Sequence, residues 1–124
     1  MAKTFLFYAG SSAALAVLLG AFGAHGLKAK LAPDMMAVYQ TAVQYHMWHA
    51  LGLAVVGLAL VNWPSLVLLR LAGWLMLAGM IVFSGSLYLL AVTNVKMLGT
   101  ITPIGGLLLI AAWLVFAWAM YKAK

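Results

Sequence analysis

Two imidazoles and a phenol stand close together in Val43-Gln44-Tyr45-His46-Met47-Trp48-His49, inside a run from Ala37 to Val61 that is otherwise largely apolar. Imidazole can ligate a metal ion, carry a proton or hydrogen-bond in both directions, and each of these uses needs partners. At helical spacing Tyr45 and His49 are i,i+4 neighbours and His46 and His49 are i,i+3 neighbours, so all three can share one broad face. If the run crosses a membrane, such groups are costly in lipid, and that face is expected to look at protein. The rest of the chain adds few groups able to do chemistry. They are His25, Ser84, Ser86 and Thr102, followed by Pro103, Gly105 and Gly106, which would open a helix and expose its backbone amides.

The elements that must position these groups follow from composition. Of 124 residues 68% are hydrophobic and 6% are charged, and the mean hydropathy is +1.14. No water-soluble domain sustains such values, so the chain reads as a single integral membrane domain, all-α, a four-helix antiparallel up-down bundle over residues 1–124. Apolar runs of about 20 residues, the length of a spanning helix, place the spans near 4–26, 37–61, 66–92 and 103–122. Net charge is +6, but the basic residues sit singly near span ends, which speaks for membrane lipid headgroups and against nucleic acid. With no cysteine, thiolate metal sites and thiol catalysis are excluded within the chain.

Along the first span Ala9, Ala13, Ala16, Gly20 and Gly23 recur at spacings of four and three, a seam of small residues along which a neighbouring backbone can approach. That neighbour could be another helix of the chain, or a second copy or other membrane protein. Its apolar length exceeds a signal-peptide core, so it reads as a retained span. Asp34 is placed to cap the second helix, Ser65 the third and Thr102 the fourth, with Pro103 in the first turn. Both termini fall on one side. That side carries Lys3, Arg70, Lys122 and Lys124, against Lys28, Lys30 and Lys96 on the other, and the excess favours termini in the cytoplasm.

Chain order then brings His25, Tyr45, His46, His49, Ser84, Ser86 and Thr102 to the half of the bundle away from the termini. Counted along the helix, the two histidines are expected about 8–12 Å below the surface on that side. Three uses of this cluster compete. It can be structural, hydrogen-bonding across helices to fix which sits beside which. It can be a metal site of His25, His46 and His49, with Met35, Met36, Met47 and Met97 adding thioethers suited to copper(I). Or it can be a site for a small molecule, lipid or proton, with the amides of the fourth helix's N-terminus attracting an anionic group. Enzyme chemistry is poorly served: Asp34 is the sole acid, which leaves no carboxylate pair for acid–base work and no acidic partner to orient a serine–histidine pair. Nor does the chain show the broken spans or inverted repeat of a transporter.

Four segments in order, Gly20-Ala21-Phe22-Gly23-Ala24-His25, Tyr45 with His49, Phe83-Ser84-Gly85-Ser86-Leu87-Tyr88 and Thr102-Pro103-Ile104-Gly105-Gly106, resemble the YgdD-like family of small membrane proteins. The resemblance covers nearly the whole chain. It implies a bacterial inner-membrane protein of three or four spans, a family of unknown function, and no activity or cofactor. It includes His25, Tyr45 and His49 but not His46, which weighs against a metal site needing all three histidines. The expectation is therefore a non-enzymatic structural or accessory protein, with a binding or transport protein as the alternative.

Overall fold

A computed structural model describes all 124 residues. It is wholly helical, with α1 at Ala2–Phe22, α2 at Pro33–Asn62, α3 at Val67–Thr93 and α4 at Thr102–Lys122. All four are long and apolar enough to cross a membrane. The first ends in a π-helical turn, Gly23–Leu27, and a 3-10 turn, Lys96–Thr100, leads into the last.

The helices begin and end by backbone geometry more than by side-chain caps, and three expected caps are corrected. Asp34 does not cap α2. Ala32, held extended at ψ 152° as residues before proline are, precedes Pro33 at the first position, where a missing N–H costs nothing. Asp34 sits exposed in the first turn, where its charge suits the helix dipole. Ser65 does not cap α3, because Leu66 takes that place with no side-chain bond. Thr102 does not cap α4, because the preceding 3-10 turn runs directly into it and Thr102 is itself helical. At its far end α3 stops at Asn94, whose φ of 56° is left-handed and whose amide returns to the Leu90 carbonyl at 2.8 Å.

Each helix packs on the next in the chain, while α1 and α4 do not pack on one another. The bundle is thus an α2–α3 centre flanked on opposite sides, and about 44% of the most apolar window of α2 and of α3 is buried against 17% in the outer spans. Glycines set the close approaches. A Cβ on Gly105 would run into the Phe83 backbone, and one on Gly79 would meet the Leu109 amide nitrogen, so α3 and α4 touch almost backbone to backbone. The seam of small residues on α1 is used within the chain: Ala9, Ala16 and Gly23 are buried, Gly20 meets Val43 and Gly23 underlies the Tyr39 ring. Its large apolar side chains, Phe7, Leu15 and Leu18 among them, face outward as a lipid-exposed surface does.

The end that holds both termini is tied together. The Trp63 indole N–H donates to the Lys124 carbonyl at 3.2 Å, and Arg70 turns back to donate to the Pro64 carbonyl at 2.6 Å. Trp63, Trp74, Trp118 and Tyr121 cluster towards this end as aromatic residues do at a membrane interface.

Candidate functional site

The heptad-like spacing that allows His46 and His49 one face instead sends them to two sides of α2. His46 lies under α1 and α3. Its Nε2 is 2.9 Å from the Ser12 hydroxyl on α1, and its Nδ1 is 2.9 Å from the Tyr88 hydroxyl on α3. Ser12 in turn reaches Met80 Sδ at 3.3 Å. Thioether sulfur can only accept, so the Ser12 proton points at Met80 and its oxygen accepts from His46. The imidazole then carries its proton on Nε2, and Nδ1 accepts from Tyr88. Every group in the chain Tyr88 → His46 → Ser12 → Met80 is satisfied in this direction. Reversal would leave the Tyr88 O–H with no acceptor in the protein.

Helix lengths set the depth of this relay. Ser12, His46 and Met80 each fall near the middle of α1, α2 and α3, with His46 about 20 Å along α2 at 1.5 Å per residue. The polar first turns of α2, from Pro33 onward, are helical, as the length of the second span leads one to expect, and they set the two histidines this far along the helix. Tyr88 starts deeper into α3 but leans back towards the helix N-terminus, as helical side chains do, and so reaches mid-depth. Its ring meets Tyr39 edge-on with centroids 5.3 Å apart, and Tyr39 donates to the Leu19 carbonyl at 2.5 Å. A crevice of about 200 Å³ opens beside the relay, walled by Leu15, Leu19, Ile81 and Tyr88, with Gly85 leaving open space where a side chain would stand.

His49 faces α4. Its Nδ1 donates to the Tyr45 carbonyl one turn back at 2.7 Å, which leaves Nε2 as an acceptor. The ring stacks on Tyr45 at 5.8 Å between centroids and lies 6.1 Å from Trp113. The serines hold the far half of the bundle: Ser84 donates to the Ala42 carbonyl at 2.9 Å, joining α3 to α2, and Ser86 meets Thr102 at 2.6 Å, joining α3 to α4.

His25 joins none of these contacts. The π-helical turn, built on Gly23 and Gly26, carries it to the exposed surface at the end of the span. The proposed three-histidine metal set therefore does not assemble, and no group of three His, Asp, Glu or Cys comes together elsewhere. The expected anion site at the start of α4 is also revised. The 3-10 turn supplies carbonyls to the entering chain, with the Ile104 amide on Ile101 and the Ile101 amide on Leu98, while Pro103 is exposed, Gly105 is packed against Phe83 and Gly106 lies beside the same ring. Sequence reasoning passed over Ser12 and Met80 altogether and quoted Tyr88 only within a motif. The one available signal was Ser11-Ser12, polar residues at the centre of an apolar span.

Comparison with known proteins places this architecture. A family profile described as "Protein of unknown function (DUF423)" matches residues 19–106. The UPF0382 membrane protein YwdK of Bacillus subtilis is 48% identical over 120 residues, covering 97% of this chain and 98% of that protein. The UPF0382 membrane protein SERP0230 of Staphylococcus epidermidis is 47% identical over 120 residues, with 97% of each chain covered, and its Staphylococcus haemolyticus counterpart SH2409 is 44% identical over the same length. No solved structure matches. A four-span helical chain matched over most of its length by these bacterial membrane proteins belongs to the DUF423 family of membrane proteins of unknown function.

Proposed function

We propose that this is a non-enzymatic accessory protein of the bacterial inner membrane, of the YgdD-like kind, in which the Ser12–His46–Tyr88 relay is a clamp and the work is done through the protein's surfaces. The observation that carries this reading is that His46 spends both ring nitrogens on side chains from two other helices, in a chain where no buried side-chain polar atom lacks a partner. A catalytic imidazole needs a free nitrogen directed at a substrate, which His46 lacks; His49 keeps Nε2 free, but its ring lies between Tyr45 and Trp113 with no carboxylate to orient it. Asp34, the sole acid, lies exposed twelve residues before His46, about 18 Å away along α2, and cannot orient that ring. The basic residues at the termini end, Lys3, Arg70, Lys122 and Lys124, favour that end in the cytoplasm.

A second reading, a binding protein for a small molecule, lipid or metal ion, draws on the crevice beside Tyr88. With its proton given to His46, the Tyr88 oxygen keeps lone pairs able to accept a bond from a hydroxyl or amide group lying in that crevice.

Native mass spectrometry of protein released gently from its own membrane, with metals counted in the same preparation, separates the two. The clamp reading expects no stoichiometric small molecule, lipid or metal, and a Tyr88→Phe variant that loses stability and nothing else. A bound species at unit stoichiometry, lost in Tyr88→Phe or on filling the crevice with Gly85→Leu, would replace the clamp reading with the binding one.

A further inference from the structure

Two of the five tryptophans do not sit where membrane tryptophans usually sit. Trp48 is about 21–23 Å from either end of α2, and Trp113 is about 14–17 Å from either end of α4, so both lie at mid-depth. Both are open to the outside, at 50% and 39% exposure. They flank His49 and Tyr45: Trp113 lies against His49, and Trp48 lies 5.2 Å from Tyr45 between ring centroids. The result is one aromatic patch on the α2/α4 side, opposite the crevice of the relay.

The patch carries hydrogen-bonding atoms that the chain does not use. The indole N–H groups of Trp48 and Trp113 and the Tyr45 hydroxyl are donors, His49 Nε2 is an acceptor, and none of them bonds within the protein. At an aqueous surface water would satisfy them. At mid-depth lipid tails offer no partner, and each unmet group carries a desolvation cost.

We propose that a second copy of this chain covers the patch, forming a two-fold dimer about an axis along the membrane normal. Copies inserted in the same orientation and related by such an axis present every residue at the same depth as its counterpart. Copies so related bring donors and acceptors of one patch together, as a two-fold interface requires: one indole N–H meets His49 Nε2 of the other copy, the second indole N–H meets the Tyr45 oxygen, and the reverse contacts follow by symmetry. Apolar partners would leave these groups unmet. The neighbouring Leu51 on α2 and Ile110 on α4 are exposed on the rim and supply apolar contact. The proposal does not depend on how the relay on the opposite side is read.

The absence of cysteine makes the test clean. Single-cysteine variants Leu51→Cys and Ile110→Cys, on the rim of the patch, and Ile81→Cys, exposed on the α1/α3 side, are oxidised in native membranes. Cross-linked dimer is expected at Leu51 or Ile110 and not at Ile81. In the cross-linking background, the pair Trp48→Phe and Trp113→Phe keeps the ring packing and removes both N–H groups. Association, read by single-molecule photobleaching in vesicles without oxidant, is expected to weaken roughly threefold for each N–H lost. Three results would overturn the proposal: a monomer with no cross-link at either rim position, cross-linking at Ile81 instead, or an association unchanged by the paired substitution.

Discussion

At the scale of the residue, His46 is the group on which three helices depend. Replacing it with Leu removes two interhelical bonds and leaves the Ser12 and Tyr88 hydroxyls without their partner. Unfolding in mild detergent should show a loss of about 1–3 kcal/mol. Ser12→Ala removes one bond and should cost about 0.6 kcal/mol, the mean for such contacts in membrane bundles. His25→Gln, at an exposed position with no contact to the cluster, should stay within about 0.5 kcal/mol of the parent. A large loss from His25→Gln would contradict the placement of that residue. The polar residues were legible as a group, but their pairing was not. Positions three apart on a helix differ by about 60° around its axis, enough for His46 to fall under α1 while His49 falls towards α4. Which neighbour each one meets depends on the rotation of α2 about its axis, and that is fixed by packing contacts far along the chain, such as Leu6 against Gly57.

At the scale of the element, backbone proximity replaces side-chain caps and polar bonds as the main determinant. Gly105→Ala places a methyl group against the Phe83 backbone, which cannot turn aside as a side chain can, so α3 and α4 must part. The expected cost is about 1–3 kcal/mol by the same unfolding measurement. Gly10→Ala puts its methyl group into open space on α1 and should be neutral or stabilising by up to about 1 kcal/mol. Equal effects at the two positions would mean that α3 and α4 are not in close contact. The spans themselves were legible because length and hydropathy set them. The caps were not, because Pro33, a 3-10 turn and the extended Leu66 did work that sequence assigned to Asp34, Thr102 and Ser65. The small-residue seam was legible as a contact surface, and its glycine end, Gly20 and Gly23, meets Val43 and Tyr39 of α2.

At the scale of the whole molecule, α2 separates two functions of polarity. On the α1/α3 side His46 is enclosed and its bonds are spent within the chain. On the α4 side His49 gives one nitrogen to its own backbone and leaves the other without a partner in the chain, its ring largely buried beside Tyr45 and Trp113. The two imidazoles must therefore carry their protons on different nitrogens, both neutral, since a charged ring at mid-depth in lipid is costly. Nitrogen NMR of the full chain in lipid bilayers, with histidine labelled at both ring nitrogens and signals assigned by His46→Leu and His49→Leu, reads this directly. The account predicts a neutral His46 protonated at Nε2 and a neutral His49 protonated at Nδ1. A His46 protonated at Nδ1, or at both nitrogens, would contradict it, because Tyr88 could not then donate to the ring and the relay that joins α1, α2 and α3 would not exist in the direction the structure requires.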